Sequence, residues 1–595
     1  MAQLNLFYPA LPKGFTSITV DIEKDATFTV ENKIVEALSK RFPYLDLLGH
    51  EITLYKANIP LEPTENLQKR SLDFVHSPTL NGGPMDSASM FSRYFPNIDA
   101  IPIAHIHILV STSEVEEMTD IVDADIAFFR KLVRDQARLA CPKFSPSETV
   151  RDSKRYDRVF GKIIHVDHLP VALFSPILAS LCKDLNRLHD IEPEPEIVQS
   201  ACSYIKAASP TYDNEDMRRV AISPSVDSTF GNLVWEENIP WADDFKPGAS
   251  CVSIIEDIAM PYTIFELRNL LGLLGDPVLE ASVGYAKIVS SRKVDTVCRG
   301  RTNFPMILIG LAHTRVQIAA AVFTGSIYVS NLITLDLGVG LNATNHMITL
   351  ARVFTCVLKC QSLLDKHYSG LLSQTPEPTF CAAFPNPTPV NSGVTIPSLT
   401  YRGVISNQNG TIVRNLTHLN EGTTAKYYAT LADNTKVVVK FAPRYNADAH
   451  RHLADAGFAP ALHFCEDVVG GLVMVVMEWV DAKPLAQQVP LTVLDKITDA
   501  VNILHSEDIV FGDLREQNIL YNASSGRLVL VDFDWAGEHG KGKYPPHINM
   551  AQVGSRRIWA RGVMPYGVME KEHDLWQIRR MKSDAGLEAQ LGQTS

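Results

Sequence analysis

At 595 residues, with 46% hydrophobic and 21% charged residues, the chain is long enough for about four domains of ordinary size and too apolar to be a disordered protein. Its formal net charge of -12 argues against a broadly basic nucleic-acid-binding surface and leaves room only for a local patch. The nine cysteines are scattered, with no C-x-x-C pair and only Cys356 and Cys360 at helical spacing. Neither a zinc site nor a disulfide framework is indicated, so folding in a reducing compartment, cytoplasm or nucleus, is expected.

The first residues, MAQLNLFYPALPKGF, show no positive segment ahead of a continuous apolar core, and no signal peptide is recognised. Residues 15–23 alternate, with Ile18, Val20 and Ile22 on one face, which predicts a half-buried strand. Ile34, Val35, Leu38 and Phe42 recur at helical spacing over Glu31–Phe42, and strands follow at Glu51–Ile59 and Ile106–Val110. His105 and His107 point the same way in the last strand; without a third ligand in the pattern, a structural role is expected. A strand, a helix and later strands in this order predict a small ubiquitin-sized β-grasp module. The order, with Ile52–Pro60 (ITLYKANIP), resembles the N-terminal domain of Crinkler (crinkling-and-necrosis) effectors over residues 1–110. Ile52, Tyr55, Lys56 and Asn58 stand where the family's L-x-L-F-L-A-K has Leu, Phe, Leu and Lys. The resemblance implies secretion, entry into a host cell with nuclear targeting, and host proteins as partners.

Ser113–Leu139 reads as an amphipathic helix, acidic in its first half and basic in its second, within a connecting segment at 111–149. The block 150–370 opens with helical stretches, Pro170–His189 and Glu196–Ala207, and turns strand-rich after Val252. Its longest weakly charged run, Val316–Leu341, is β-branched and carries Gln317, Asn331 and Asp336; buried strands fit it better than a membrane helix, and no membrane is expected as a partner. Glu266-Leu267-Arg268, with Glu280 and Tyr285 beyond it, resembles the PD-(D/E)xK restriction-endonuclease fold that precedes kinase-like domains in many fungal proteins. Arg268 replaces the lysine of E-x-K and is too basic to accept a proton, Glu280 stands for the Gln, and the upstream acid is Asp227 or Asp257. A scaffold that has lost nuclease chemistry is expected. The Pro-rich stretch 371–400 reads as an extended linker.

From Tyr401 a strand pair, Ile412–Leu419 and Ala425–Leu431, flanks Asn420–Thr424, where Gly422 and Thr423 could cover phosphates. The apolar strand Lys436–Phe441 carries Lys440, placed to pair the α/β-phosphates. The helix Asp448–Ala456 should supply the acidic partner of that lysine; it contains no Glu, and Asp448 is the candidate. Leu472–Val480 leads to Glu478 and Trp479, near where adenine would sit, and Leu491–His505 is a helix with an apolar core face.

The segment Ile509–Gly537, IVFGDLREQNILYNASSGRLVLVDFDWAG, reads as a β-hairpin that sets Asp513, Asn518 and Asp532 at neighbouring strand ends. Phosphoryl transfer needs such a set: a carboxylate that takes the acceptor's proton, and an amide and a carboxylate that hold Mg²⁺. These residues resemble the kinase catalytic loop D-L-x-x-x-N followed by D-F-G, here Asp513–Asn518 and Asp532-Phe533-Asp534. Phe511-Gly512-Asp513 is closer to the H-G-D of aminoglycoside- and lipopolysaccharide-type kinases than to H-R-D, no A-P-E follows, and little chain remains for a large helical lobe. Residues 401–581, including YNADAHRHLADAGFAPALHFC and KEHDLWQIRRM, resemble a fungal kinase-like domain found beside Crinkler-type and endonuclease-like domains. The tail 582–595 looks frayed.

The expected architecture is therefore α+β and multidomain: a ubiquitin-like β-grasp, a restriction-endonuclease-like α/β domain and a two-lobed kinase-like domain with a reduced C-lobe. With ATP and Mg²⁺ as cofactors, Asp513 is the expected base, with Arg515 beside it for the γ-phosphate. Asn518 and Asp532 are the metal ligands, and Lys440, Gly422, Thr423 and Glu478 the nucleotide contacts. The acceptor is a hydroxyl of a protein or of a small molecule. Two other classes compete: a catalytically inactive pseudokinase and pseudonuclease scaffold, and an Mg²⁺-dependent nuclease.

Overall fold

The structure is a computed structural model. It describes residues 2–7, 15–20, 30–34, 37, 53–60, 85, 94–95, 105–111, 169–231, 233–235, 247–255, 258–269, 276–289, 301–324, 327–338, 343–371, 373, 384–405, 412–413, 425–485, 490–546, 548, 550 and 559–591. The helix expected at Ser113–Leu139 lies outside these residues. The chain is a mixed α/β, multi-sheet protein that divides into two compact units, Met1–Pro385 and Asn386–Ser595.

In the first unit, β1 (Ala2–Phe7), β2 (Phe15–Val20), β3 (Thr53–Pro60) and β4 (His105–Ser111) form a sheet of order β2-β1-β4-β3. The central pair β1 and β4 is parallel, and the flanking pairs are antiparallel. A central strand is covered on both faces, so in β4 Ile106, Ile108 and Val110 are buried and so are His107 and Leu109. His107 has a structural job, since its Nδ1 accepts the Asn5 backbone N–H at 2.9 Å.

The second sheet of this unit has the order β10-β9-β8-β7-β6-β5. Its strands are β5 (Val234–Trp235), β6 (Ala249–Ile255), β7 (Ile258–Arg268), β8 (Met306–Ala312), β9 (Arg315–Phe323) and β10 (Ile327–Asp336). The apolar run at 316–341 thus supplies β9 and β10. Four helices cover the sheet: α1 (Pro176–Leu185), α2 (Pro195–Ala208), α3 (Glu215–Phe230) and α5 (Ala343–Ser369), with α4 (Pro277–Val289) between β7 and β8. β7 and β8 are parallel, so a crossover must join them, and α4 provides it. Ile264 of β7 packs with Val278, Ala281 and Tyr285 of α4, whereas the next residue, Phe265, meets Phe230 of α3, which in turn meets Phe354 of α5. Period-two alternation thus explains how one strand fills two cores. Within α5, Thr344–Ser369 is the one described helix long and apolar enough to cross a membrane by composition, and 50% of its most apolar window is buried in the unit.

The second unit opens with a sheet of order β12-β11-β13-β14-β16-β15. Its strands are β11 (Leu399–Ile405), β12 (Ile412–Val413), β13 (Ala425–Leu431), β14 (Lys436–Ala442), β15 (Leu462–Val468) and β16 (Leu472–Glu478). Of the stretch read as a linker, residues 371, 373 and 384–400 are described, and its last part does not hang free. Val390 N–H donates to Asp467 O at 3.0 Å and Val469 N–H to Thr388 O at 2.8 Å, so residues 388–390 cover the outer edge of β15. Prolines lack the donor a full ladder needs and fit an edge, which is why this segment reads as a linker in sequence.

A helical part follows: α6 (Ala447–Asp455), α7 (Leu491–Ser506) and α8 (Lys571–Leu591). Around it lie β17 (Lys483–Pro484), β18 (Ile509–Val510), β19 (Ile519–Asn522), β20 (Arg527–Leu530) and β21 (Gly537–Glu538). β19 and β20 are the expected hairpin, and Val493, Leu494, Ile497, Ala500, Val501 and Leu504 of α7 are buried as the periodicity requires. The helix α8 runs on to Leu591 where a frayed tail was expected; Leu587, Glu588, Ala589 and Gln590 are all good helix formers.

The sequence gives no hint of Arg218, which is 1% exposed and anchors α3. Its Nε donates to Asn269 Oδ1 at 2.8 Å, Nη1 to Ala208 O at 2.9 Å and Nη2 to Pro210 O at 3.0 Å. Arg218→Met keeps most of the volume but strands these acceptors, at about 1–3 kcal/mol each. Hydrogen exchange in the full chain should then speed up in α2 and α3 while the second unit stays protected. Unchanged exchange would mean that the anchor is dispensable.

Candidate active site

Four elements bring the second unit's polar residues together. β14 supplies Lys440, the loop between β18 and β19 supplies Asp513, Arg515 and Asn518, and the turn after β20 supplies Asp532 and Asp534; β13 adds Lys426, directly opposite Lys440. Two backbone positions make the turns. Gly512 has φ +80°, and a Cβ there would lie 3.3 Å from Trp535 O and 3.4 Å from Met569 Cε, so glycine is needed in the Phe-Gly-Asp triplet. Asp532 has φ 74°, the left-handed region that few residues with a side chain enter and that aspartate, with its short polar side chain, tolerates better than most. On either side, Val531 N–H donates to Asn518 O at 2.9 Å and Phe533 O accepts Asn446 N–H at 3.2 Å.

Asp513 is 4% exposed. Arg515 embraces it, with Nε 2.6 Å from Oδ1 and Nη2 donating to Oδ2 at 2.7 Å. Asn518 Nδ2 donates to the same Oδ2 at 2.8 Å and to Asp513 O at 3.0 Å. Burial pushes the Asp513 carboxyl up to about 6 against the pull of Arg515, so it is ionised at neutral pH yet more basic than a surface aspartate. Arg515 itself lies near two indoles, 6.0 Å from the Trp535 ring and 5.8 Å from that of Trp559.

Lys440 is the most deeply set cation of the group. Its Nζ donates to Asp532 Oδ1 at 2.6 Å and to Asp534 Oδ1 at 2.5 Å. Burial works against its charge, but the two carboxylates outweigh it and hold the ammonium above its usual pKa. The cost of burial is likewise overcome at Asp532, which Lys440 and then Lys426 keep well below the usual carboxylate range. The acidic partner expected on α6 is therefore corrected. Asp448 is exposed and pairs with Arg451 at 3.0 Å, while the partner of Lys440 is Asp534, in the place where D-F-G has glycine.

Two supports are invisible in the sequence. Phe511 meets Phe533 edge-on at 5.4 Å, and Phe533 stacks on His450 of α6 at 4.7 Å and 10°, an aromatic column from the loop that carries Asp513 to α6. His450 Nε2 lies 2.8 Å from Pro460 O, which can only accept, so Nε2 carries the proton and Nδ1 takes the Tyr445 O–H at 2.7 Å. The second support is Asp574, 1% exposed near the start of α8. It accepts the Phe511 N–H at 2.7 Å and the Gly512 N–H at 3.0 Å, clamping the backbone just before Asp513. A lone Asp in KEHDLW carries no signal of this role.

The remaining expected residues do not join the group. Glu478 is spent on Arg527, with two contacts of 2.8 Å, and on the Ala461 N–H at 3.1 Å; it ties the sheet to β20. Gly422 and Thr423 lie outside the described residues. In the first unit Arg268 pairs with Glu280 and, at 2.7 Å, with Glu215, where a nuclease would need a lysine beside water. Burial and the charge of Glu280 push Glu266 up to about 8 despite Arg268, so it is protonated at neutral pH. Of the two candidate upstream acids, Asp227 lies exposed on α3 and Asp257 is outside the described residues.

No protein-family model and no curated protein matches the chain. Among solved structures, the PK-1 kinase of Cydia pomonella granulovirus is similar over 19% of this chain at 22% identity, with a TM-score of 0.17. The chain spans about half the length of that viral kinase, 48% of it. A superposition this loose carries no weight for fold or chemistry.

The column gives the site a pH dependence of its own. Burial lowers His450 from 6.5 to about 4, so the unfolded chain takes up the proton first. Its contribution is complete above pH 6.5 and is lost as pH falls toward 4, roughly 3 kcal/mol in all. His450→Phe keeps a ring on Phe533 but cannot titrate. Urea denaturation across this range should show the native protein losing stability toward acid more steeply than the variant; parallel profiles would remove His450 as the cause.

Proposed function

We propose that the second unit is an atypical kinase-like phosphotransferase that uses ATP and Mg²⁺ to phosphorylate a hydroxyl acceptor. One observation carries the reading: Asp513, Asn518, Asp532 and Lys440 converge from three elements, with the Asn518 amide nitrogen committed to Asp513. That leaves Asn518 Oδ1 and Asp532 Oδ2 as hard oxygen donors of the kind Mg²⁺ takes, so the residues fit the metal. Bound there, Mg²⁺ would neutralise phosphate charge and fix the phosphates for in-line attack. Asp513 orients the acceptor hydroxyl and takes its proton, and its raised basicity suits that task. Arg515 keeps the carboxylate in one orientation. Lys440 holds Asp532 in its left-handed turn, and Asp574 holds the loop that carries Asp513.

The first unit supports two non-catalytic modules in this reading. The order β2-β1-β4-β3 with its central parallel pair supports a β-grasp, and with it the Crinkler-like reading of the N-terminus and a role in host-protein contact. The antiparallel β6–β7 pair, the α4 crossover and the parallel β8 fit a restriction-endonuclease-like core. The engaged Arg268 and the protonated Glu266 argue that this core cuts no nucleic acid. A scaffold without catalysis is the second reading of the whole, favoured by the sealing of Lys440 between two aspartates.

Asp513→Asn keeps the side chain's size but not its charge. Transfer of label from ATP to the protein itself, to casein-like proteins or to small hydroxyl compounds should fall by about 10²–10⁴-fold, with nucleotide binding retained. Transfer at the native rate would unseat Asp513 as base, and a native protein that binds ATP but transfers nothing supports the scaffold reading. Calorimetry should also show tighter ATP binding with Mg²⁺ than with EDTA, a difference that Asp532→Ala abolishes. Equal affinities in the native protein would rule out the metal role.

A further inference from the structure

The antiparallel register of β13 and β14 sets Lys426 directly opposite Lys440, so both side chains leave the same face of the sheet. Two like charges in this position repel, and the arrangement is stable only where anions divide between them. Asp532 does so: its Oδ1 lies 2.6 Å from Lys440 Nζ, and its Oδ2 lies 3.8 Å from Lys426 Nζ. The two ammonium groups are nevertheless unlike. Lys440 is 4% exposed and makes close bonds to two carboxylates, whereas Lys426 is 30% exposed. Among the described residues, the contact with Asp532 is the one ion pair of Lys426, and it is long. An anion arriving over the sheet can reach Lys426, and it would have to dislodge an aspartate to reach Lys440.

We propose that Lys426 is the phosphate-binding lysine of this site and that Lys440 is a positioning residue which holds Asp532 and Asp534. The ligand class is a nucleoside polyphosphate whose non-bridging oxygens complete the half-made contact of Lys426. This rests on the reading of the second unit as nucleotide-binding. It reassigns the contact expected of the lysine in the strand Lys436–Phe441, and it accounts for a feature that reading leaves unexplained. Two of the three N–H groups of Lys440 are taken by aspartates and the side chain is sealed from solvent, whereas its cross-strand neighbour makes one long contact and is open to solvent.

The test compares ATP with adenosine on the full chain by calorimetry, because adenosine lacks the phosphates. Lys426→Met should weaken ATP binding by about tenfold or more, as expected for loss of a hydrogen bond between charged groups, and change adenosine binding by less than about twofold. Lys426→Arg should restore most of the difference between the two ligands. Lys440→Met should lower the unfolding temperature of the second unit far more than Lys426→Met does. If Lys426→Met does not fold, Lys426→Gln takes its place in the same comparison. A Lys426 variant that keeps the native ratio of ATP to adenosine affinity overturns this assignment alone. A native protein that binds neither ligand overturns the nucleotide reading along with it.

Discussion

A lysine ammonium enclosed by protein is tolerated only if carboxylates meet it, and Lys440 meets two of them within 2.6 Å. Both belong to one short turn after β20, so the pairing joins the sheet at the start of the second unit to the strand end that follows the loop carrying Asp513. The pairing also helps to hold Asp532 at φ 74°, in the left-handed region. The strain and the ion pair are thus two sides of one constraint: the backbone is bent so that a carboxylate reaches back to β14. What remains of that carboxylate, the second oxygen, is turned toward Lys426.

The same turn is supported from the other side by rings. Phe533 points away from its two aspartate neighbours into the column between Phe511 and His450. Alternation along the turn sends the carboxylates one way and the ring the other, so charge and packing reinforce each other. Asp574 finishes the job from below by satisfying two backbone N–H groups that the glycine turn leaves without strand partners. The geometry of the candidate site is held by hydrogen bonds between residues 62 and 63 positions apart on one side and by a β-ladder on the other.

Local pattern in the sequence goes far in this chain. The hairpin β19–β20, the apolar face of α7 and the alternating strands of the first unit are legible, because each follows from periodicity or from spacing within one segment; the group Lys440, Asp513, Asn518 and Asp532 is picked out by its resemblance to the kinase pattern. What is not legible depends on partners distant in the chain. Asp534 reads as a lost glycine and turns out to be the acid that α6 lacks. Phe511 reads as a lost histidine and turns out to be one end of an aromatic column. Glu478 sits in the expected strand, but its side chain answers to Arg527, 49 residues later. Lys426 looks like an ordinary polar residue of an alternating strand until the register of β13 and β14 is known. In each case the residue type was visible and its neighbour was not.

The pairing of residues 388–390 with β15 bears on where this protein can be cut. A fragment begun at the first residue of β11 would look like a clean domain, since everything upstream is rich in proline. It would also strip the outer strand of its cover and leave the C=O of Asp467 and the N–H of Val469 open to any other chain. Such an edge invites strand-to-strand association between copies, and a soluble fragment would report on oligomers rather than on the unit itself. A fragment begun near residue 386 retains the cover. The prolines therefore act less as a hinge than as a selvedge, finishing the sheet where an ordinary strand would invite another.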